Sequence, residues 1–283
     1  MKILSLPAEM AAWSQAAVAA GRRIVLVPTM GYFHEGHLSL MDRGRAQGDA
    51  LVVSLFVNPI QFGPGEDLGR YPRDFQRDSE LAAGRGAEVL FAPGAGDMYP
   101  ADSASRVVVS GLDQGLCGAK RPGHFAGVTT VVAKLFHLVR PHVAVFGEKD
   151  FQQLAIIRRM VADLDFQVEV IGHPIVREAD GLAMSSRNVY LSADERRRAL
   201  CLHQALTAAR QACAGGLRDG AAVARLAEEC IRPHARIDYI EIADRRLLRP
   251  QERIDADSML FLAAFVGTTR LIDNCRLLAG GDA

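Results

Sequence analysis

The feature that most constrains the fold of this chain is a series of short apolar runs separated by stretches with helical periodicity. The runs are rich in Val and Ile, and several are apolar at every position, as in strands covered on both faces. They fall at residues 24–29, 50–57, 87–93, 106–110, 142–147 and 166–172. Strands that alternate with helices predict β-α-β units, and therefore a doubly wound, Rossmann-like parallel sheet of the α/β class.

The helices predicted between these runs lie at about 7–20, 37–47, 74–85, 126–139 and 150–162. The pattern changes after an irregular connection at 173–192. Two helices, near 193–214 and 219–231, then precede strands at 237–244, 258–267 and 269–275. Neighbouring strands after two helices predict a small α+β domain with an antiparallel sheet. We therefore expect a larger domain at 1–175 and a smaller one at 176–283.

The charges of the chain argue against one class of partner. Its 33 basic and 33 acidic residues give a net charge of zero, whereas a nucleic-acid-binding surface normally brings a basic excess. We therefore expect no nucleic-acid partner. Only four of the basic residues are lysines, namely Lys2, Lys120, Lys134 and Lys149. This scarcity draws attention to Lys149, which follows a predicted strand.

The cysteines and the apolar segments bear on the location of the protein. Five cysteines without a C-x-x-C pair predict reduced thiols and neither a disulfide framework nor a zinc cluster. No apolar run approaches the length of a membrane span, and the N-terminal segment lacks the pattern of a signal peptide. We expect a cytoplasmic protein with no membrane partner.

The segment PTMGYFHEGHLSL (28–40) runs from a buried strand into a helix that begins near His37. At such a junction, free backbone N–H groups and the positive end of the helix dipole attract phosphate. His34 and His37 are three residues apart, so both can face one side and donate to a phosphate. Alternatively, one histidine caps the helix and the other lies on the surface. The spacing differs from the zinc motif H-E-x-x-H, and it matches neither G-x-G-x-x-G nor the P-loop.

Polar residues also follow two other predicted strands. Asn58 and Gln61 come just after one of them, and their amides suit a substrate with hydroxyl or carboxylate groups, although Asn-Pro is also ordinary turn chemistry. Gly147 and Lys149 follow the other strand. A lysine is a mobile point charge that suits a phosphate moving during reaction, but a solvated lysine at a helix end is equally consistent with this position.

The helix that follows Lys149 carries two further candidates. Asp150 can accept a hydrogen bond from a ribose hydroxyl, or it can cap the helix. Gln153 lies about one helical turn further on and can face the same side as Asp150. Arg121 and His124 flank a Pro-Gly turn ahead of a predicted helix, which by itself is a weak indication of a site.

The irregular connection contains Met-Ser-Ser-Arg at 184–187, which offers two hydroxyl donors and a guanidinium. A mobile loop rich in donors can close over a triphosphate and exclude water. The alternative is a serine-rich linker. We assign Ser192 to structure, because Ser192-Ala-Asp-Glu195 is a helix capping box.

Taken in order, seven segments of the chain resemble the pantoate–β-alanine ligase family, the pantothenate synthetases. They are PTMGYFHEGH, FVNPIQF, RYPR, FAPGAGDMYP, RPGHFAGV, FGEKDFQQL and MSSRN, and they span about residues 28–191. The H-x-G-H and M-S-S-R elements also resemble the two signatures of the nucleotidyltransferase superfamily, which class I aminoacyl-tRNA synthetases share. The chain from residue 193 onward is less diagnostic.

The resemblance implies an ATP-dependent joining of pantoate to β-alanine, in pantothenate and coenzyme A biosynthesis. The reaction would proceed through an enzyme-bound pantoyl adenylate and release pyrophosphate and then AMP. Mg²⁺ would accompany ATP without protein side chains as its ligands, and the chain would form a homodimer through its N-terminal domain. The domain at 1–175 would bind ATP and pantoate, and the domain at 176–283 would close over the site.

The resemblance also implies roles for individual residues. The catalytic residues would be His34, His37 and Lys149, which lie on the phosphates and the adenylation transition state. The ATP-binding residues would be Met30, His37, Gly147, Lys149, Asp150, Val176, Met184, Ser185, Ser186 and Arg187. The residues that hold pantoate or β-alanine would be Gln61, Gln153, Asn58, Arg121 and His124.

The chain departs from the family pattern at three positions near these residues. Tyr32 and Phe33 replace small or aliphatic residues, and Phe151 replaces a tyrosine. None is a proposed contact to substrate through its side chain. The departures therefore bear on substrate fit and leave the implied reaction class unchanged.

Three other functions share part of this pattern. An adenylyltransferase acting on a phosphorylated small molecule would release pyrophosphate but no AMP. A class I tRNA synthetase is disfavoured, because nothing after residue 193 resembles a basic tRNA-reading appendage. A nucleotide-sensing protein would bind ATP without turnover, but every motif of the implied site is intact.

Overall fold

The computed structural model describes residues 1–278, which divide into two compact units. The first unit comprises Met1–Glu148 and Ile156–Pro174, and the second comprises Lys149–Ala155 and the chain from Ile175 onward. Among the described residues, no helix is both long enough and apolar enough to cross a membrane.

A six-stranded parallel sheet forms the centre of the first unit, as predicted for a doubly wound α/β fold. Its strands are β1 (Lys2–Leu4), β2 (Ile24–Thr29), β3 (Ala50–Leu55), β4 (Val89–Phe91), β5 (Val143–Gly147) and β6 (Glu169–His173). The spatial order is β1-β4-β3-β2-β5-β6, and every pairing is parallel. The strand order reverses between β2 and β5, which is the point where open α/β sheets bind ligands.

The burial of the inner strands explains why the sequence identified them. Ile24, Val25, Leu26 and Val27 on β2 are fully buried, because helices cover both faces of a doubly wound sheet. β1 was not predicted, since its three residues form a short, half-exposed strand with no clear pattern.

The prediction of a strand at 106–110 is wrong. The segment has no regular secondary structure and pairs with no strand among the described residues. Instead, Val107 N–H donates to the Thr130 hydroxyl (3.0 Å) and Val107 C=O accepts from Thr129 (2.6 Å). A run of valines favours an extended backbone, but it does not determine whether another strand lies beside it.

The helices of the first unit include every helix predicted there. They are α1 (Pro7–Ala19), α2 (Glu35–Arg45), α3 (Phe75–Gly84), α4 (Ala95–Met98), α5 (Leu116–Lys120), α6 (His124–Val139) and α7 (Phe151–Asp163). The first residues of α7 belong to the second unit. The short helices α4 and α5 were not predicted, because four or five residues are too few to show a helical period.

The second unit contains an antiparallel sheet and three helices, as expected for a small α+β domain. Its elements are α8 (Ala193–Ala199), α9 (Cys201–Ala214), α10 (Gly220–Ile231), β7 (Arg236–Asp244), β8 (Ser258–Val266) and β9 (Thr269–Arg276). The sheet order is β7-β8-β9. The single helix predicted at 193–214 is therefore two helices. Ser192 caps α8 and forms the predicted capping box with Glu195.

The core of the second unit lies between its sheet and its helices. Leu260 and Leu262 of β8 are fully buried, as are Ala205 of α9 and Val223 of α10, and all belong to one apolar cluster. Because alternate residues of a strand face opposite sides, this cluster defines the helix-covered face of the sheet.

Candidate active site

The end of β2 is the starting point of the site. The Thr29 hydroxyl donates to Ser54 C=O of the neighbouring strand (2.7 Å) and accepts from Gly31 N–H (3.3 Å). Gly31 and Tyr32 then both take positive φ values, 87° and 52°. Glycine adopts this left-handed conformation readily, whereas tyrosine does so only at a cost. The two residues turn the chain away from the sheet and into α2.

A buried carboxylate from α3 closes this turn. Asp78, of which 1% is exposed, accepts from Tyr32 N–H (2.6 Å) and from Phe33 N–H (2.7 Å). Burial raises the pKa of Asp78 above its usual value, although the two backbone hydrogen bonds favour the ionised form. The sequence analysis missed Asp78. The sequence feature that could have indicated Asp78 is a carboxylate on the buried face of α3, four residues before Ala82.

The two histidines of the H-x-G-H motif lie beside each other at the start of α2. His34 is the residue before the helix, and its ring centroid lies 4.1 Å from that of His37. His34 N–H approaches His37 Nδ1 to 3.4 Å, which favours the tautomer with the proton on Nε2. Phe33, 1% exposed, packs against the His37 ring with a centroid distance of 5.6 Å. This departure from the family pattern is therefore a core residue.

Two amides follow β3 and contact the same turn. Gln61 Nε2 donates to Met30 Sδ (3.0 Å) and Gln61 Oε1 accepts from Asn58 Nδ2 (3.0 Å). Asn58, 1% exposed, also donates to Gly127 C=O (3.0 Å) and accepts from the Tyr99 hydroxyl (2.9 Å). The partners of Asn58 are therefore protein groups, and its side chain orients Gln61.

Tyr99 is a member of this network that the sequence analysis missed. It lies within one of the segments that resemble the family, but its hydroxyl was given no role. Burial raises the pKa of Tyr99 to about 12, so the hydroxyl stays protonated and remains a donor at neutral pH.

A chain of polar contacts connects Gln61 to Glu66. His124 Nδ1 lies 2.8 Å from Gln61 C=O, an acceptor, so the proton of the neutral ring is on Nδ1. His124 Nε2 then accepts from Arg121 Nη1 (3.0 Å). Arg121 in turn donates twice to the carboxylate of Glu66, at 2.8 and 2.6 Å. Glu66 was not predicted from the sequence, because Arg121 lies 55 residues further along the chain.

The start of α6 approaches the Gln61 turn more closely than any side chain would allow. A Cβ atom at Gly127 would lie 2.4 Å from Ile60 C=O and 2.6 Å from Gln61 Cα. Both contacts are too short for a real Cβ atom, so glycine is required here. This close approach keeps the carbonyl of Gly127 within reach of Asn58.

The remaining candidate of the first unit, Gly147, ends β5. In the second unit, Lys149, Asp150 and Gln153 occupy one short segment at the start of α7. Lys149 Nζ lies 3.9 Å from Asp150 Oδ2, and Lys149 C=O accepts from Asn274 Nδ2 of β9 (3.0 Å). Phe151 packs against Phe261 of β8 with a centroid distance of 5.9 Å, so this second departure also serves packing.

The predicted ATP loop is a compact structure within the second unit. Met184 N–H donates to Val176 C=O (3.0 Å), which brings the two ends of a narrow hairpin together. Ser185 Oγ accepts from Arg187 N–H (3.3 Å) and caps a 3-10 turn at Ser186–Tyr190. Ser186 is buried, whereas Ser185 and Arg187 are half-buried. The five predicted residues of this connection therefore lie together.

An ion pair attaches this hairpin to the small sheet. The guanidinium of Arg177 donates to both carboxylate oxygens of Asp273 on β9, at 2.6 and 2.9 Å. Arg177 also donates to Gly181 C=O at the tip of the hairpin (3.1 Å). Asp273 is 3% exposed, so the pair is shielded from solvent on one side.

Two of the cysteine thiols are not activated as nucleophiles. All five are free thiols. Burial raises the pKa of Cys201 to about 11 and that of Cys275 to about 12. Because the thiolate is the reactive form, neither thiol is activated at neutral pH.

The Glu66–Arg121 pair generates a prediction about stability and pH. Burial raises the pKa of Glu66, but the hydrogen bonds and charge of Arg121 outweigh it and leave the pKa below its usual value. Glu66→Gln should therefore lower the free energy of unfolding by about 2 kcal/mol at neutral pH. This difference is fully present above the unfolded-state pKa of about 4, and it should vanish as the pH falls through the lower folded-state pKa.

Urea denaturation of both proteins from neutral to acid pH measures this difference. Glu35→Gln is the control, because Glu35 pairs with Arg85 but its side chain is 56% exposed. That variant should change stability by less than about 0.5 kcal/mol. A Glu66→Gln loss that stays constant across this pH range would contradict the assignment of the effect to the ionised pair.

The chain is similar along almost its whole length to one family of known proteins. The model of the family described as pantoate-beta-alanine ligase matches residues 2–276. The pantothenate synthetase of Geobacter sulfurreducens is 55% identical over 282 residues, which cover 98% of this chain and 99% of the relative.

Solved structures agree with this similarity. The crystal structure of pantothenate synthetase from Thermus thermophilus matches with a TM-score of 0.93 and 48% identity, over 98% of this chain and 99% of that one. The pantoate-beta-alanine ligase from Francisella tularensis, complexed with beta-gamma ATP and beta-alanine, matches with a TM-score of 0.83 and 30% identity over 98% of each chain. Sequence and fold thus agree, and the chain belongs to the pantoate–β-alanine ligase family.

Proposed function

We propose that this chain catalyses the ATP-dependent condensation of pantoate with β-alanine to form pantothenate. The reaction passes through an enzyme-bound pantoyl adenylate and releases pyrophosphate and then AMP. The observation that carries the proposal is the pair of H-x-G-H histidines, 4.1 Å apart at a helix start. They follow the strand at which the sheet order reverses, in a chain of this family.

In the first step, the carboxylate of pantoate attacks the α-phosphorus of ATP and pyrophosphate leaves. The attacking group belongs to the substrate, so the protein needs to align the reactants and neutralise the charge that develops on the phosphates. We assign this neutralisation to His34, His37 and Lys149. The Nε2 proton favoured for His37 supports it, because that proton can be donated to a phosphate oxygen.

In the second step, the amine of β-alanine attacks the carbonyl carbon of the mixed anhydride, and AMP leaves. The amine must first lose a proton to a base. No covalent enzyme intermediate is required, which is consistent with buried, protonated thiols at Cys201 and Cys275.

The other site residues divide between the two substrates. We propose that pantoate and β-alanine are held by Gln61, Gln153, Asn58, Arg121 and His124. The hydrogen-bond network supports a division of labour among those of the first unit, since Asn58 and His124 both bond to Gln61. Gln61 would then contact the substrate while its neighbours fix its orientation.

We propose that ATP is bound by Met30, His37, Gly147, Lys149, Asp150, Val176, Met184, Ser185, Ser186 and Arg187. The support for the last five is that they share one hairpin and turn. In this proposal, residues 1–175 form the domain that binds ATP and pantoate, and residues 176–283 close over the site. Closure would exclude water from the reactive adenylate.

Magnesium enters the proposal with ATP. Mg²⁺ prefers oxygen ligands and usually keeps several waters while it bridges substrate phosphates. His34, His37 and Lys149 present nitrogen rather than oxygen atoms, so the phosphates of ATP would supply the oxygen ligands of Mg²⁺. The ion adds positive charge to the phosphates when it is bound.

We also propose that the chain is a homodimer and that the segment 106–110 forms part of the interface. Val108 is 58% exposed, and its backbone groups make no hydrogen bond within residues 1–278. Val107 makes its bonds to α6, so the free edge of the segment faces away from that helix. An exposed, apolar strand edge pairs readily with another copy, and antiparallel pairing satisfies a twofold axis.

A cytoplasmic location completes the proposal. Its support is the state of the cysteines, all five of which are free thiols. Free thiols are maintained by the reducing conditions of the cytoplasm. The proposed substrates are also small metabolites rather than membrane components.

The central prediction is that the protein exchanges labelled pyrophosphate into ATP only when pantoate is present. Adenylate formation is reversible, so label enters ATP without β-alanine. Addition of β-alanine should then yield AMP and pyrophosphate in equal amounts. Exchange with another carboxylic acid but not with pantoate would overturn the substrate, and release of pyrophosphate without AMP would indicate an adenylyltransferase.

Substitution of the proposed catalytic residues tests their roles. His37→Ala and Lys149→Ala should each slow adenylate formation in a single turnover by about a hundredfold to a thousandfold, because each removes a donor to the developing charge. Rapid-quench measurement of the adenylate gives the rate. Lys2→Ala is the control, since Lys2 is exposed on the edge strand β1. Rates equal to that of the control would contradict the assignment.

The dimer is tested at the exposed valine. The unaltered chain should show twice its chain mass by size exclusion with light scattering, and Val108→Lys should show the monomer mass because a buried lysine disfavours the pairing. Val189→Lys is a matched control, as Val189 is 53% exposed, and it should remain dimeric. A monomeric unaltered chain would contradict the homodimer, and a dimeric Val108→Lys would contradict this interface.

A further inference from the structure

We propose that Asp78 is a positioning residue for the adenylation step, because its carboxylate fixes the turn that presents His34 and His37. The inference rests on the proposed function and adds to it a residue that does not touch the substrate. It is carried by two hydrogen bonds from consecutive backbone N–H groups to one buried side chain.

The conformation of the turn makes such a partner necessary. Gly31 and Tyr32 both have positive φ values. As a result, the N–H groups of Tyr32 and Phe33 point into one concave site. Concavities of this kind bind anions, because several N–H dipoles converge on them. In this chain the anion is a side chain of the protein itself. Oδ2 of Asp78 accepts from Tyr32 N–H, and Oδ1 accepts from Phe33 N–H.

Neighbouring residues restrict the position of the Asp78 carboxylate on several sides. A Cβ atom at Gly31 would lie 3.0 Å from Asp78 Oδ2, so a side chain there would press on the carboxylate. On the adjacent position of α3, Arg77 Nη1 lies 3.8 Å from Asp78 Oδ1. The guanidinium of Arg77 also lies over the Tyr32 ring, 5.5 Å from its centroid. Arg77 and Asp78 of α3 thus both contact Tyr32, the residue with the unfavourable positive φ.

The turn transmits its position directly to the histidines. Only Phe33 separates the clamped Tyr32 from His34, which immediately precedes α2. His37 N–H bonds back to His34 C=O (2.8 Å). A shift of the turn therefore moves the first helical turn and both rings. Catalytic groups misplaced by about 1 Å can lose roughly a hundredfold in rate.

Because Asp78 occupies this concave site, it also determines which N–H groups can bind the phosphates of ATP. Since the N–H groups of Tyr32 and Phe33 already bond to an anion, they are not available to the phosphates of ATP. The phosphates must find their donors at the histidines and at the start of α2. This arrangement separates the group that positions the loop from the groups that contact substrate.

Asp78→Asn tests the proposal, because it keeps the size of the side chain. An amide accepts through its oxygen only, so one backbone N–H would face the NH₂ group. The experiment is rapid-quench measurement of enzyme-bound adenylate with ATP and pantoate. The burst amplitude reports the fraction of competent enzyme, and the burst rate reports the positioning of catalytic groups. We expect an unchanged amplitude with a rate lowered about tenfold to a hundredfold.

Two further variants complete the test. Gly31→Ala displaces the same turn, because its Cβ atom would press on Asp78 Oδ2 and a φ of 87° is unfavourable for alanine, and it should give the same signature. Asp74→Asn is the control, because Asp74 caps α3 through Arg77 N–H (3.1 Å) without touching the turn, and its burst rate should be normal. These variants separate an effect on the turn from an effect on α3.

Each outcome has a distinct meaning. A normal burst rate in Asp78→Asn overturns the positioning role, and so does a reduced amplitude at normal rate, which indicates misfolding. If Asp78→Asn leaves no measurable burst, the Gly31→Ala rate decides in the same way. A burst that is absent from the unaltered protein with pantoate overturns the proposed function instead.

Discussion

The pairing of β2 with both β3 and β5 is the interaction on which the site depends. β5 pairs with β2 at Val25 and Leu26, and β3 pairs with it along its whole length, as far as Thr29 opposite Leu55. The carboxyl end of β2 is therefore fixed to β3. The Thr29 hydroxyl reinforces this at the last residue of the strand by bonding to Ser54 of β3. The turn that follows thus leaves the sheet from a fixed point, at the place where the strand order reverses. A doubly wound sheet offers such a point once, and the two histidines occupy it.

Around this point, buried polar groups have few degrees of freedom, since each must satisfy its hydrogen bonds within the protein. Asn58 illustrates this constraint: its amide bonds to Gln61, Gly127 and Tyr99, which belong to three separate segments. Such a side chain cannot change its orientation without leaving several groups unsatisfied. The fixed orientation of Gln61 therefore derives in part from groups, such as Tyr99, that have no proposed contact with a reactant.

The sequence predicted the elements that have a local signal. Buried strands and amphipathic helices repeat with their own periods, and the polar residues at strand ends stand out against them. It did not predict Asp78, Glu66 or Tyr99, since each acts through a partner that is distant in sequence. Tyr32 and Asp78, for example, are 46 residues apart. The segment 106–110 shows the converse: its valines favoured a strand, but strand pairing depends on neighbours that the local sequence does not encode, and the segment pairs with none among the described residues.

Strand β9 has a mechanical consequence for the second unit. Two consecutive residues on it, Asp273 and Asn274, hold two different segments. Asp273 binds Arg177 of the hairpin, and Asn274 binds the carbonyl of Lys149. A displacement of β9 would therefore move the hairpin and Lys149 together and in the same direction. Any evolutionary adjustment of one of them is constrained by the other, because a single pair of adjacent side chains serves as the common anchor.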